Sequence, residues 1–519
     1  MIGYPSRNSP RVRTVEAAST VRLGPRALLL GTALLLTLIA FVRPVIDPDY
    51  WMHLRVGRWI LENGRLPDHD LFTHTVPDHR WVDHEYLSQV LFWLLHSRFG
   101  TLGVSLAIGA LTWLGMLLVV AAARPSRQPY VITGVAIVLA ALSGGPIWGP
   151  RPQMITFFFV CLELLWLRRS LEGTSRAILW LPLVMVLWSN LHGGWPVGFL
   201  FLGVGLVSES LSWLADRSRT EHLQQVRRLA LVAGGSAVAV LLNPNGLDVL
   251  AYPLQTLGSG AQQNLIAEWL SPDFHMASLR PFGAMLLLLL AGLTFGRPRL
   301  FDGLLALTGI ALALESDRHI PLFIAATTPV LIGCWADVWR RARPGAPTAP
   351  GSAHPVRWMP AATLLVLVLV GGIVVTRTGQ ALADQQRLLR TEVPVGAADW
   401  LAVHPEVGTR MFNQYSWGSY LAYRFYPDPD RRVYVFSEGV VMGDEQFYRY
   451  ERVASLQPGW RRELDRARVD YVVYDRGSTL DDALATQPDW RQVYHDSTAV
   501  IYVRLPAPSV PPAREEEKS

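Results

Sequence analysis

The sequence predicts a mainly α-helical, polytopic membrane protein of about eleven spans, with a small α/β domain at its C-terminal end. Two observations carry this. Apolar runs of bilayer length recur through the first three quarters of the 519 residues. After residue 376 the texture changes to short Val- and Tyr-rich stretches alternating with helix-like ones. The charge content agrees: 17% of residues are charged, against about a quarter in soluble domains. The formal charge of +5 does not indicate nucleic-acid binding, because the basic excess of such proteins usually sits in cytoplasmic loops. Cys161 and Cys334 both fall inside apolar runs and read as small buried residues rather than a disulfide framework.

Taken in order, residues 1–26 are polar and arginine-rich and read as a loose cytoplasmic tail. The run at 27–46 is as long as a bilayer span and lacks a small-residue cleavage site, so it reads as an uncleaved first helix. Further spans fit at 101–123, 130–148, 152–167, 177–191, 195–214, 229–243, 281–296, 300–315, 319–339 and 358–376. With the N-terminus inside, the short cytoplasmic loops hold Arg124 and Arg127; Arg168, Arg169 and Arg176; Arg217, Arg219, Arg227 and Arg228; Arg297 and Arg299; and Arg340, Arg341, Arg343 and Arg357. That is the positive-inside pattern. The stretch at 85–100 is too short in its apolar core to span, and reads as a helix along the outer interface with Leu87, Val90, Leu91 and Leu94 toward lipid or protein. The membrane domain therefore covers 27–376 and carries a structured first outer loop from 47 to 100.

Within that loop Asp49 is placed to cap a helix starting at Tyr50, and Gly64 to end it in the left-handed conformation. Residues 65–85, with their prolines and aspartates, read as loop. Residues 377–505 form the α/β domain, placed outside by parity, with strands expected at 432–437, 469–475 and 498–504. The end, 506–519, is a disordered tail by composition.

Ionisable residues gather on the outer side: Asp47, Asp49, His53, Arg55, Asp83, His84, Glu85, Arg151, His192, Glu268, Arg318 and His319. Charges beside a membrane core are costly, so this one-sided clustering predicts a polar cavity. Arg151, His192 and Arg318 are the most telling, because they abut apolar runs at short turns. Bland readings stand beside these. Asp49 can serve only as a cap, Asp47 as a solvated acid, Glu85 as a helix-start charge and His192 as part of a tight turn. Glu268 can pack the cavity rim. His53 follows Asp49 by four residues, a pair that would suit a divalent metal but is too small to define a site. The sequence has no Walker-type loop, Rossmann fingerprint or zinc spacing.

The stretch DPDYWMHLRVGRWILENGRLPDHDLFTHT, followed by WVDHEYLSQVLF, resembles the first outer loop of a large group of bacterial membrane proteins that belong with the GT-C glycosyltransferases. RPQMITFFF, WSNLHGGWPVG, LLNPNG, AEWLSPDF and DRHIPLF resemble further stretches of that group in the same order. The resemblance implies a GT-C-like fold in the bacterial cytoplasmic membrane. It implies a sugar donor linked to polyprenyl phosphate or a related lipid, with a glycan, lipid or protein as acceptor. Such chemistry needs a base for the acceptor hydroxyl, which Asp47 or Asp49 can supply. It also needs positive charge for the leaving phosphate, from Arg151 and Arg318, with His192 and His319 as further donors. His53, Asp83, His84, Glu85 and Glu268 would line the cavity. The aspartates are expected to stand clear of the cations by on the order of 6–12 Å, room for a sugar-phosphate. Two other functions use the same residues: a transporter or flippase of lipid-linked sugars, and a non-catalytic scaffold with an outer binding domain.

Overall fold

The computed structural model describes residues 24–124, 128–344 and 358–505. Residues 1–23 of the expected 1–26 tail, the 506–519 tail, Arg127 and Arg357 lie outside the described residues, and α1 already begins at Pro25.

A helix stands at each of the eleven places where a span is expected. These are α1 (Pro25–Phe41), the second half of α3 (Tyr86–Ala122), α4 (Tyr130–Ser143), α5 (Gln153–Leu171), α6 (Leu181–Leu191, led by a single 3₁₀ turn), α7 (Pro196–Ala215), α8 (Thr220–Val240), α11 (Arg280–Phe295), α12 (Leu300–Glu315), α13 (Ile320–Ala342) and α14 (Met359–Ala383). Among the described residues five helical stretches are both long and apolar enough to cross a membrane: Tyr86–Ala122, Pro196–Ala215, Ala277–Phe295, Asp317–Ala342 and Met359–Ala383. Their packing differs as their sequences suggest. In α13 residues 320–332 are all buried, so it is apolar all round and sits at the centre. By contrast α14 exposes Leu364, Leu365, Val368, Leu369 and Val375, a face that only lipid would cover. The chain is thus a multi-pass membrane protein.

Some boundaries move, for local reasons. Helix α1 stops at Phe41 rather than running to 46, because Pro44 disfavours helical backbone at the residue before it and removes a donor. Helix α8 begins at Thr220, so Arg227 and Arg228 lie on the helix rather than in a loop.

The loops sort into two sets, one at each end of the helices. At one end Arg124 and Arg299 both pair with Glu172, and Arg168 pairs with Asp302 at 2.5 Å. These are loops that the arginine pattern assigns to a common side. At the other end lie the first outer loop, α9 (Asp248–Gly258), α10 (Gly260–Leu265) and the C-terminal domain.

The first outer loop opens with α2 (Asp49–Asn63), which ends at Gly64 with φ 66°. The expected interfacial helix is the first part of α3. It breaks at Gly100, whose φ of 63° and ψ of −161° leave the helical region, and only then does the chain enter its apolar run. Ser88, Gln89 and Phe92 face inward, and Leu91, Leu94 and Phe99 are exposed. Helices α2 and α3 approach so closely at Gly57 that a Cβ there would fall 2.0 Å from the Gln89 carbonyl oxygen.

The C-terminal domain carries α15 (Gln385–Glu392), α16 (Val395–Leu401), α17 (Gly418–Phe425), α18 (Gly439–Ala454), α19 (Trp460–Arg466) and α20 (Thr479–Ala485). Its four-stranded sheet has the order β1 (Met411–Asn413), β2 (Tyr471–Asp475), β4 (Ala499–Arg504), β3 (Trp490–His495). The first pair is parallel and the other two are antiparallel. Two of the expected strands are there, as β2 and β4. The third, 432–437, is not in the sheet. It is buried from Val433 to Phe436, with a bend at Tyr434, and the burial accounts for its strand-like composition. Its hydrogen bonds go instead to the first outer loop: Val433 N donates to Phe72 O and His74 N to Val433 O, both at 3.1 Å. The Asn413 side chain accepts from Tyr434 N at 2.8 Å and donates to Val435 O at 2.9 Å, and Tyr434 O accepts from Thr75 Oγ1 at 2.8 Å. A second tie holds the domain lower down. The Gln385 amide both accepts from Val45 N and donates to Val45 O, each at 2.7 Å and buried.

The Gly57 crossing generates a prediction. Gly57→Ala lowers thermal stability in detergent by about 1–3 kcal/mol, the usual cost of overpacking. Gly203→Ala, on α7 with open space around it, does not.

Candidate functional site

Three separate segments meet where the first outer loop leaves α1. Asp47 is 7% exposed. Its Oδ1 accepts from Asp49 N at 2.8 Å, and its Oδ2 pairs with Arg151 Nε. The other face of the same guanidinium pairs with Glu268. Asp47, Arg151 and Glu268 therefore form one ionic triad. The expected gap between the aspartate and Arg151 is absent. Arg151 projects from the turn just before α5 and neutralises buried Asp47 and half-buried Glu268, which would otherwise face each other.

The cap expected of Asp49 is also placed differently. Helix α2 begins at Asp49 itself, whose side chain makes no capping bond, while the Asp47 carboxylate takes the Asp49 N–H. This frees the Asp49 carboxyl to point into the protein, toward Ser437 of the C-terminal domain. Solvent reaches it in part, yet protein surrounds it densely. Burial pushes its pKa up to about 7, with the Glu268 and Glu85 charges adding to the rise and Ser437 and Arg318 opposing it.

Arg318 stands in the one-turn helix that leads into α13. Its guanidinium lies over the Trp269 ring at 4.4 Å from the centroid. Among the described residues it has no carboxylate within ion-pair distance, although its charge acts on Asp49, Glu268 and His192. The 267–273 segment is stitched to this turn by Asp317 N donating to Leu270 O at 3.1 Å and Ser316 Oγ to Glu268 O at 2.7 Å. Beside it Leu270, Phe274 and Met276 are exposed. His319 is taken up by packing: its Nδ1 lies 3.2 Å from Leu312 O and its ring meets Trp269 edge-on. Burial at Glu268 offsets the two arginines only in part, and Arg151 and Arg318 hold its carboxyl below its usual range.

A second cluster forms around Glu85, at the start of α3. His84 Nε2 lies 2.9 Å from Oε1, His192 Nε2 3.4 Å from the same oxygen, and His53 Nε2 3.6 Å from Oε2. Burial would raise the Glu85 pKa, but the three histidines overcome it and drive it well below the carboxylate range. His84 shows the reverse balance: burial pulls its pKa down and Glu85 carries it above its ordinary value. Glu85 and His84 are therefore a buried ion pair. His192 is neutral, its pKa lowered by burial to about 4. Its tautomer follows from its neighbours. Gly194 N donates to Nδ1 at 3.0 Å, and the Thr156 hydroxyl, which itself accepts from Trp188 Nε1, lies 2.7 Å from the same nitrogen. Nδ1 is an acceptor, so Nε2 carries the hydrogen and donates toward Glu85.

That assignment bears on metal binding. A neutral imidazole ligating through Nε2 needs its proton on Nδ1, where Gly194 already donates. His53 turns toward Glu85, and no hydrogen bond or ion pair joins it to Asp49. No group of three or more His, Cys, Asp or Glu among the described residues is arranged to hold a metal ion. The residues present do not fit a divalent cation.

Four participants were not singled out in the sequence: Tyr252, Tyr415, Ser437 and Glu438. Glu438 is buried, with Tyr252 Oη 3.5 Å from its Oε1, and burial pushes its pKa up to about 7. Tyr252 stacks on His84 at 3.6 Å between ring centroids. Asp83 is fully buried and likewise pushed up to about 7 by burial. Ser437 and Glu438 end the very stretch that reads as a strand, which hides them. Asn243 and Asn245 complete the frame, donating to Ser189 O and Asp83 O at 2.8 Å each. Every quoted stretch of the GT-C resemblance thus reaches this one region, although they are spread from residue 47 to residue 319.

No known protein-family model matches the chain, and no curated protein matches it. Solved structures do align with it. ArnT from Cupriavidus metallidurans bound to undecaprenyl phosphate is 14% identical, with a TM-score of 0.45 over 93% of this chain and 98% of that one. The Archaeoglobus fulgidus oligosaccharyltransferase in the apo form is 13% identical, with a TM-score of 0.48 over 86% and 69%. The mycobacterial arabinofuranosyltransferase AftD is 14% identical, with a TM-score of 0.45 over 93% and 42%.

The triad generates a prediction. Arg151→Ala leaves buried Asp47 without its counter-charge, with half-buried Glu268 beside it, and destabilises the protein by about 2–3 kcal/mol. Arg318→Ala, which breaks no ion pair, leaves the thermal unfolding midpoint near that of the parent. Differential scanning fluorimetry of the two variants in the same detergent reads the contrast.

Proposed function

We propose that the protein is a membrane glycosyltransferase that moves a sugar from a polyprenyl-phosphate-type lipid to an acceptor hydroxyl at the outer face of the cytoplasmic membrane. One observation carries the reading. A deep, partly accessible carboxyl with a pKa near 7 shares its cluster with a guanidinium free of any ion pair, beside an exposed apolar lip. A structural salt-bridge cluster would leave neither group uncommitted. The GT-C resemblance of the stretches that build this cluster names the donor class.

In this reading Asp49 is the general base and Arg318 holds the donor phosphate. Leu270, Phe274 and Met276 offer the adjoining lipid an apolar surface. The acceptor oxygen attacks the anomeric carbon and its proton passes to Asp49. The bond from that carbon to the phosphate oxygen breaks, and the phosphate leaves with the electron pair beside Arg318. Asp47 and Arg151 act one step back, fixing the first turn of α2 and hence the Asp49 carboxyl. Glu85, held by His53, His84 and His192, keeps a fixed negative charge nearby that helps hold Asp49 in the basic range. No step requires a metal. The same parity that places this face outside puts the N-terminus in the cytoplasm and 377–505 outside.

Asp49→Asn is expected to bind donor lipid as the parent does and to lose transfer by about 10²–10⁴-fold, the usual worth of a general base. Arg318→Ala weakens binding of a polyprenyl phosphate by about 10–100-fold, the loss of charge-assisted hydrogen bonds. Undiminished transfer by Asp49→Asn overturns the reading in favour of a transporter. Below about pH 7 Asp49 holds its proton and cannot accept another, so transfer by the parent rises with pH through about 7. Orientation is tested separately. A cysteine introduced at exposed Val403 is expected to react with a membrane-impermeant maleimide in intact cells; protection places the domain inside.

A further inference from the structure

Next to the carboxyl cluster, and separate from it, lies a groove of about 600 Å³. One wall is the 78–82 stretch of the first outer loop, another is α9 and the start of α10, and the third is the start of α18. We propose that this groove binds a neutral saccharide, the non-reacting part of a glycan acceptor. The proposal deepens the transferase reading and rests on it for the word acceptor.

The chemistry of the walls selects the occupant. Ligand pockets of roughly 300–1,000 Å³ are usually lined by hydrophobic and aromatic groups. Here the wholly apolar side chains are only Val82, Ala251 and Val440, and no Phe, Tyr or Trp is among the lining residues; the other apolar surface belongs to the carbon stems of polar residues, so a lipid chain or an apolar peptide side chain meets few matching groups. An anion is disfavoured as well. Asp78, Asp248 and Asp444 face Arg80 alone, and Arg80 is already paired with Asp248. What remains is a set of short hydrogen-bonding groups. The Gln255 and Gln262 amides each offer a donor and an acceptor, the pattern that matches adjacent sugar hydroxyls. His79 donates through Nδ1 to Val441 O at 2.8 Å, which leaves Nε2 for a ligand.

The walls are fixed in place. Asp444 accepts from Ser259 Oγ at 2.5 Å and from Gly260 N at 3.0 Å, so the C-terminal domain is fastened to α10 across the groove. At Gly439 the Gln262 amide lies 2.5 Å from where a Cβ would sit, so the two walls meet closely there.

The position relates the groove to the reacting centre. Val82, Ala251 and Gly439 line it, while their chain neighbours Asp83, Tyr252 and Glu438 belong to the carboxyl cluster. Three backbones thus pass between groove and cluster, each giving one residue to either side. A saccharide held here would lie one residue's thickness from the cluster, and its binding free energy would orient the reacting hydroxyl.

The test uses the full chain in lipid nanodiscs and three probes: maltotriose, the acidic trigalacturonate and the aminated chitosan trimer. Saturation-transfer NMR is expected to detect maltotriose. Gln255→Ala and Ala251→Trp should each weaken that binding at least tenfold while leaving polyprenyl-phosphate binding and the unfolding midpoint unchanged. Asp49→Asn should bind maltotriose as the parent does, so saccharide binding is scored independently of transfer. No binding of maltotriose, tighter binding of either charged probe, or full binding by folded Ala251→Trp overturns the proposal. Loss of the transferase reading alone would appear as transfer retained in Asp49→Asn with the groove still occupied.

Discussion

The site depends on one ionic arrangement, the Arg151 guanidinium held between Asp47 and Glu268. It joins the exit of α1, the turn before α5 and the segment before α11, three places far apart in the chain. Because Asp47 is anchored on one side by Arg151, its other oxygen is placed to take the Asp49 N–H. Helix α2 then starts with its first acid uncapped and turned inward. A surface ion pair would hold little, but this one is buried, and removing its centre would strand two acids.

The charges of the cluster sort by their neighbours rather than by residue type. Five acids lie close together: Asp49, Asp83, Glu85, Glu268 and Glu438. Glu268 and Glu85 are ionised because arginines and histidines face them. Asp49, Asp83 and Glu438 lack such a partner, and burial raises each to about 7. Environments that push equivalent groups apart in this way separate the structural charges from those able to exchange a proton near neutral pH.

Helices were legible where apolar runs recur, because bilayer thickness sets a length for such runs, and five of the described helical stretches meet that length. The start of the site was legible for a related reason: ionisable residues at short turns next to such runs, Arg151, His192 and Arg318, have few places to go but a shared polar interior. Pairing was not legible. Arg151 and Arg318 look alike as sequence, yet one is neutralised and the other is left with an aromatic face, a difference that only the fold of 267–273 decides. The stretch 432–437 was misassigned because Val and Tyr report burial as much as sheet pairing. Its backbone bonds go to residues 72–74, and that error concealed Ser437 and Glu438 at its end. The α1 boundary could have been placed at Phe41 from Pro44 alone.

The central claim is that Asp49 exchanges a proton near neutrality while Glu85 and Glu268 beside it stay ionised. Infrared difference spectroscopy of the full chain in nanodiscs, titrated from pH 5 to pH 9, measures this directly when the parent is compared with Asp49→Asn. The account predicts a protonated-carboxyl band in the parent that is lost with a midpoint near 7 and is weaker in the variant by the share of one carboxyl, the remainder belonging to Asp83 and Glu438. A parent band identical to that of the variant, with Asp49 already ionised at pH 5, would contradict it.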